Sequence, residues 1–316
     1  MADVMRPTLV FPSTPSERWD LAKQMGVDCA VSSLPKNTDD PWSFENLLAL
    51  KRRFDDNGLE LLVIEDRPPM NDIMTNGPNA EEELETVLRF IENLGAVDIP
   101  IWCSAWMAHQ GWLRTSMALP DRGGSLVSGY DHQHMRDAPP LADVSEETLW
   151  EQLEWFIDAA TPVAEDAGVY MAMHPDDPPL SPIRGVGRIM RSVENYLRLL
   201  ELNDSPHNGI TFCQGNFSAM GADVPAAIRQ FGDRIHFVHF RDVKGTPERF
   251  RETWHTEGQT DMHEAMQAYR DIGYTGPMRP DHVPTMEGED NSRPGYHMKG
   301  RLWAIGYMQG LIESLE

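Results

Sequence analysis

Four residues of this chain combine metal-ligand chemistry with a repeated position. The short apolar runs "VYMAMH" (169–174), "GITFC" (209–213), "IHFVHF" (235–240) and "GPMRPD" (276–281) carry His174, Cys213, His239 and Asp281 at or beside their C-terminal ends. Intervals of 39, 26 and 42 residues separate the four, each long enough for a strand, a loop and a helix. Two imidazoles, a thiolate and a carboxylate together satisfy a divalent transition metal and leave positions open for a substrate. Singly, each has an ordinary explanation as a hydrogen-bonded histidine or a small buried thiol. Recurrence at four successive run ends is what predicts a shared metal site. His236 stands in the opposite phase of its run and is expected to face the helices or a pocket edge. Cys29 and Cys103 are expected to be structural.

Side chains at four run ends converge only if the runs are parallel neighbours. Four further runs precede them, "TLVF" (8–11), "CAVS" (29–32), "LELLVI" (59–64) and "VDIPIWC" (97–103), which makes eight. Helical patterns lie between them. The first is read as opened by a capping Thr14, a Pro15 in the first turn and Glu17, and as closed at Gly26. Others are expected over about 40–57, 80–94, 145–167, 192–202, 224–231, 262–271 and from 296 to the C-terminus. Eight strands alternating with eight helices predict an α/β fold, a (β/α)8 TIM barrel of the xylose isomerase-like kind, as a single domain over residues 1–316. A doubly wound open sheet is the runner-up, but no glycine-rich phosphate loop follows the first run. Long insertions follow strands 4 (104–144, expected as a lid or cap), 7 (241–259) and 8 (282–296). All three would lie at the C-terminal face, where barrel enzymes keep their active sites.

Composition removes several classes of function. A net charge of −23 repels a nucleic acid backbone, so no nucleic acid partner is expected. No run of about 18 apolar residues predicts a membrane span, and "MADVMRPTLV" lacks the basic start and apolar middle of a secretion signal. Three cysteines make no disulfide framework. A cytoplasmic protein is expected, with surface enough in its insertions for a homo-oligomer.

The blocks "HPDDPP" (174–179), "GITFCQGNFSAMG" (209–221), "IHFVHFRDVKG" (235–245) and "RPDH" (279–282) resemble the signature blocks of the mannonate dehydratase family. The resemblance covers the C-terminal half well and the first hundred residues only in pattern. It implies a (β/α)8 barrel, a divalent metal that is usually Mn2+, and loss of water from D-mannonate to give 2-dehydro-3-deoxy-D-gluconate. Carried over, the ligands are the same four residues, and the catalytic pair is His282 and Tyr296. "WLRTS" (112–116) resembles the family's arginine-threonine segment. The chain departs from the family in having Val283 where the family has glycine, in "RGVGRIM" (184–190), and in being shorter than typical members.

Dehydrating a 2,3-dihydroxy acid means removing the C2 proton beside a carboxylate and expelling the C3 hydroxyl. A metal on the carboxylate stabilises the charge that develops, and a base and an acid must flank the substrate. His282 and Tyr296 are the candidates, in either order, with Arg279 and Arg293 near enough in sequence to lower the tyrosine pKa. His109, Arg114, Thr115 and Arg122 are candidate donors to the small sugar-acid substrate. Asp176 or Asp177 is expected to orient a ligand or a substrate hydroxyl, and Arg279 to complete the substrate contacts. A thiolate ligand also admits Zn2+, Co2+, Ni2+ or Fe2+. Two other readings compete. A sugar isomerase or epimerase of the xylose isomerase-like class relies on glutamate ligands that strands 5 to 8 do not supply, and a non-catalytic sugar-acid-binding protein would have no need of His282 and Tyr296.

Overall fold

The computed structural model describes residues 5–315, so the first four residues of the stretch read above for a secretion signal lie outside it. Nine strands form one parallel sheet: β1 (Arg6–Pro7), β2 (Leu9–Phe11), β3 (Cys29–Ser32), β4 (Glu60–Glu65), β5 (Ile101–Ala105), β8 (Tyr170–His174), β9 (Asn208–Cys213), β10 (Ile235–Phe240) and β13 (Pro277–Pro280). Their order is β1-β13-β10-β9-β8-β5-β4-β3-β2. The two terminal members, β1 and β2, are successive halves of one segment, so the sheet closes into an eight-position barrel. Thr8 between them stitches the closure, its N–H donating to Met278 O at 2.8 Å and its Oγ1 to Cys29 O at 2.7 Å. A buried strand read as a continuous apolar run is what a parallel barrel requires, because helices cover its outer face.

Helices Phe44–Asp55, Ala80–Ala96, Glu146–Ala167, Val193–Glu201, Val224–Phe231, Met262–Asp271 and Met298–Glu313 lie near the predicted ranges. Ser43, Ser145, Ser192, Asp223 and Asp261 cap their first turns by accepting a backbone N–H, which is why those starts were legible. The first helix departs from expectation. It runs Glu17–Gln24 from an extended Ser16 that makes no side-chain cap, and Thr14 lies outside it because a residue before proline is biased to extended backbone. The fourth barrel strand also starts later than "VDIPIWC" suggests, since Asp98 turns with a φ of 57° before Pro100. Two short helices, Asn71–Thr75 and Gln214–Ala219, had no sequence signal.

The insertions after strands 4 and 7 are not loops but one cap. β6 (Ser116–Pro120), β7 (Leu126–Asp131), β11 (Val243–Thr246) and β12 (Arg249–Glu252) form an antiparallel sheet in the order β11-β12-β7-β6. The third insertion is tied on by paired backbone hydrogen bonds between Leu126 and Thr285. One large apolar cluster packs helices on strands, and a smaller one, including Cys29, Val31, Val63, Ala172 and Phe237, fills the barrel. Among the described residues no helix is long and apolar enough to cross a membrane.

Two glycines test the packing that carries the barrel. A Cβ on Gly95 would run into the carbonyl of Ala167 on the neighbouring helix, whereas one on Gly310 would meet open space. Gly95→Ala is expected to lower thermal stability by about 1–3 kcal/mol, and Gly310→Ala to raise it by about 0.5–1 kcal/mol, both read by thermal unfolding.

Candidate metal centre and active site

At the C-terminal end of the barrel a cavity of about 660 Å³, its open mouth included, is lined by residues from the ends of five strands and from the insertions that follow them. His174 closes β8, Cys213 closes β9, and His239 lies one residue before the end of β10. Register puts them on one level, because His239 is the partner of Cys213 across one strand pair and of Arg279 across the other. Donor atoms of His174, Cys213 and His239 all lie within 4.8 Å of one another. His174 Nε2 is 3.1 Å from His239 Nδ1, and Nδ1 of His174 is 2.7 Å from Pro175 O, which fixes the ring. Asp281 borders this trio, its Oδ2 3.8 Å from His239 Nδ1. His236 points elsewhere, its Nε2 2.8 Å from Pro206 O.

The donor set suits a divalent cation. Burial holds His174 down at about 4 and His239 well below the usual histidine range, so both imidazoles are neutral. Burial pushes the Cys213 thiol up to about 12 against the pull of Arg241, so a thiolate there needs a further positive charge. His239 Nε2 is buried without a hydrogen-bond partner. A second trio, Glu65, Cys103 and His239, is as compact. Its carboxylate is already engaged by Arg279, at 2.9 Å and 2.6 Å, which leaves the first trio as the better site.

His282 follows Asp281 with a φ of 47°, a left-handed backbone that a side chain bears at a cost of about 1–3 kcal/mol. Its Nε2 is 3.5 Å from the Tyr296 hydroxyl, and the edge of Trp112 lies against its ring. Gly295 makes this approach possible, since a Cβ there would stand 3.0 Å from His282 Nδ1. Burial lowers His282 below its ordinary value against the nearby Asp281. Burial and then Asp281 raise Tyr296 well above 10, with Arg279 and Arg241 opposing. The lowering expected from sequence is therefore absent, because burial and the neighbouring carboxylate outweigh the guanidinium groups.

Of the remaining residues singled out in the sequence for substrate or orienting roles, the structure brings Arg279 and Asp177 to the cavity wall. Arg114 is buried and bonded to both oxygens of Asp177, at 2.5 and 2.9 Å, and to Glu252 at 2.6 Å, so its donors are already taken. Asp176 accepts from Arg188 and from Met190 N–H and holds the "HPDDPP" loop, leaving Asp177 to line the cavity. Burial raises the Asp176 carboxyl to about 6. Thr115 Oγ1 accepts from Asp131 N–H within the cap. Arg122 stacks on Trp254 and pairs with Glu257, and His109 turns away with a φ of 59°. Sequence reasoning missed Glu65 at the end of β4, Arg241, Glu252 and Trp112. A carboxylate closing the third barrel strand was a readable signal for Glu65; the others depend on the cap.

Arg241 joins the parts. Its Nε lies 3.2 Å from both Cys213 Sγ and Asp281 Oδ2, NH1 donates to Glu252 at 2.6 Å, and NH2 to Asp177 at 3.1 Å and to Asn216. Burial alone would raise Asp177 and Asp281, but Arg114 and Arg241 hold the first, and Arg279 with His282 the second, below the usual carboxylate range.

Comparison with known proteins shows which family and fold the chain shares. A family model described as D-mannonate dehydratase (UxuA) matches residues 16–142 and 139–316. Mannonate dehydratase 2 of Halalkalibacterium halodurans is 36% identical over 305 residues, 87% of this chain and 88% of that protein. A crystal structure of mannonate dehydratase from Streptococcus suis superposes with a TM-score of 0.92 at 33% identity, covering 98% of this chain and 93% of the other. A xylose isomerase domain protein from Planctomyces limnophilus superposes with a TM-score of 0.65 at 15% identity over 98% of each chain, which is a likeness of fold.

Glu252 reaches the site from the cap and shares its charge between two buried arginines. Removing it leaves both guanidinium groups short of a counter-charge. Glu252→Ala is expected to cost about 3–5 kcal/mol in unfolding free energy, measured in denaturant, with Glu252→Asp recovering part of it.

Proposed function

The chain belongs to the D-mannonate dehydratase (UxuA) family, and on that premise we propose that it removes water from D-mannonate to give 2-dehydro-3-deoxy-D-gluconate. The family is one of divalent-metal-dependent hydro-lyases. The observation that carries the proposal is the convergence of His174, Cys213 and His239 within 4.8 Å, bordered by Asp281 and by the His282–Tyr296 pair.

In this reading His174, Cys213, His239 and Asp281 hold the ion, for which Mn2+ is proposed from the resemblance and which Zn2+, Co2+, Ni2+ or Fe2+ could replace at a thiolate. Once bound, the ion supplies a Lewis acid for the charge that gathers on the substrate carboxylate as C2 loses its proton. The protein supplies the rest. Neutral imidazoles at His174 and His239 keep lone pairs free for it, and Arg241 holds Cys213 and Asp281 in place. His282 and Tyr296 stand together at the cavity edge as base and acid. One takes the C2 proton and the other gives a proton to the C3 hydroxyl, which leaves as water, and the enol then tautomerises to the 2-keto acid. Trp112, from the insertion after β5, forms part of the cavity wall beside His282. The three cysteines are unpaired thiols, which supports a cytoplasmic place of work. An epimerase chemistry built on strand-end glutamates is less well served, because Glu65 is already neutralised by Arg279.

Incubation of the purified protein with Mn2+ and a panel of aldonic acids is expected to yield a 2-keto-3-deoxy acid from D-mannonate. Absence of product from every acid, with metal bound, overturns the reading. Tyr296→Phe is expected to lower kcat by about 10²- to 10⁴-fold while metal content stays unchanged. Cys213→Ser is expected to lower metal content at a fixed free-metal concentration by about tenfold or more, measured by elemental analysis; unchanged content removes Cys213 from the site.

A further inference from the structure

A second cleft, of about 1220 Å³ including its mouth, adjoins the cavity just described and shares Glu65, Trp112, Arg279 and Tyr296 as a common wall. Its remaining lining carries four cations and no acid, among apolar and neutral residues such as Val10, Phe11 and Met117. Arg18 comes from the first helix, Lys36 from the loop after β3, Arg293 from the insertion after β13 and Arg301 from the last helix. None of these four has a carboxylate within 4 Å among the described residues, in a chain whose net charge is −23.

Arg301 is the informative member. Five arginines are buried among the described residues, and Arg114, Arg188, Arg241 and Arg279 each have a carboxylate at 3.3 Å or closer. Arg301, only 4% exposed, has none; one NH1 donates to Val10 O at 3.0 Å, and the guanidinium lies 5.2 Å from the centre of the Tyr296 ring. A buried charge without a counter-charge is costly, so an unpaired one lining a cavity is a position for an anion from outside. Like charges crowd it: burial first, then Arg279, press Arg301 down to about 10, and Arg18 is lowered by burial and by Arg293. The nearest acid acting on Arg18, Glu289, is engaged by the N–H groups of Met286 and Lys299.

We infer that this cleft is an anion-receiving vestibule, in which Arg18, Lys36, Arg293 and Arg301 take up the carboxylate of the incoming sugar acid before it passes the shared wall to the metal centre. The inference rests on the function proposed above. Its physical need is plain, because an anionic substrate approaching a strongly acidic protein is repelled everywhere except where cations are gathered, and a low-dielectric cleft focuses that attraction.

The test uses Arg18→Gln together with Lys36→Gln, two changes at the outer side chains of the cleft, remote from the metal donors. In the Mn2+-loaded enzyme at about 20 mM ionic strength, KM for D-mannonate is expected to rise about 3- to 10-fold with kcat within about twofold. At about 0.5 M NaCl, where charges are screened within a few ångströms, the two proteins should converge. An unchanged KM at low salt, or a rise that persists at high salt as a packing defect would, overturns the inference. Binding of D-mannonate to Mn2+-loaded Tyr296→Phe protein, with and without the two changes, is measured in parallel and needs no turnover, so a failed dehydratase assay leaves this arm decisive. A parallel titration with sulfate separates sources: sulfate that competes with D-mannonate supports the vestibule, and sulfate that binds without competing marks an inorganic-anion site and overturns it.

Discussion

Arg241 sits where a buried thiol and three buried carboxylates meet, and the site depends on that one guanidinium. Cys213 and Asp281 approach its Nε, while Glu252 and Asp177 take its two terminal nitrogens. Each acid comes from a different segment: a strand end, the loop after β8, or the cap. Left without cations, such a concentration of negative charge would either push the acids toward protonation or hold the segments apart. With Arg114 and Arg279 completing the set, guanidinium groups face the carboxylates and hold Asp177 and Asp281 ionised at the barrel mouth. Arginine is suited to this because its planar fork has separate donors in fixed directions, whereas a lysine would offer one point charge.

This network explains why the cap exists as a folded sheet. β12 delivers Glu252, the segment before β6 delivers Arg114, and the two meet over the loop that carries Asp177. The antiparallel sheet of β6, β7, β11 and β12 pairs two insertions that are more than a hundred residues apart in sequence, so neither is a free lid. Pairing satisfies their backbone groups, and the ion pairs beneath fix the sheet over the cavity.

The barrel and the convergence of His174, Cys213 and His239 were legible because both are local signals repeated in phase. An apolar run ending in His174, Cys213 or His239 says where the strand lies and which end faces the site, and a capping serine or aspartate says where a helix begins. Thr14 misled because its proline neighbour imitates a first helical turn while forbidding Thr14 itself that conformation. The cap was illegible for a different reason. Its strands are short, and although β6–β7 and β11–β12 are local hairpins, the two hairpins join through β7 and β12, where Asp131 meets Arg249 from far along the chain, so nothing local in either names the other. Arg114 looked like a substrate donor for the same reason, since its acid partners, Asp177 and Glu252, are 63 and 138 residues away.

Positioning of His282 shows how the last strand serves two tasks within two residues. Asp281 continues the direction of β13 toward His239, and the left-handed turn at His282 swings the next side chain toward Tyr296 instead of along the strand. Such a backbone persists only where its surroundings hold it. Val283 does so by donating its N–H to Gly295 O at 3.0 Å, which brings the Tyr296 loop back across His282. The Val283 side chain fits because Gly300 opposite has none; a Cβ there would lie 2.9 Å from Val283 Cγ2. The small residue at position 300 thus leaves room for Val283, whose N–H holds the Tyr296 loop across His282.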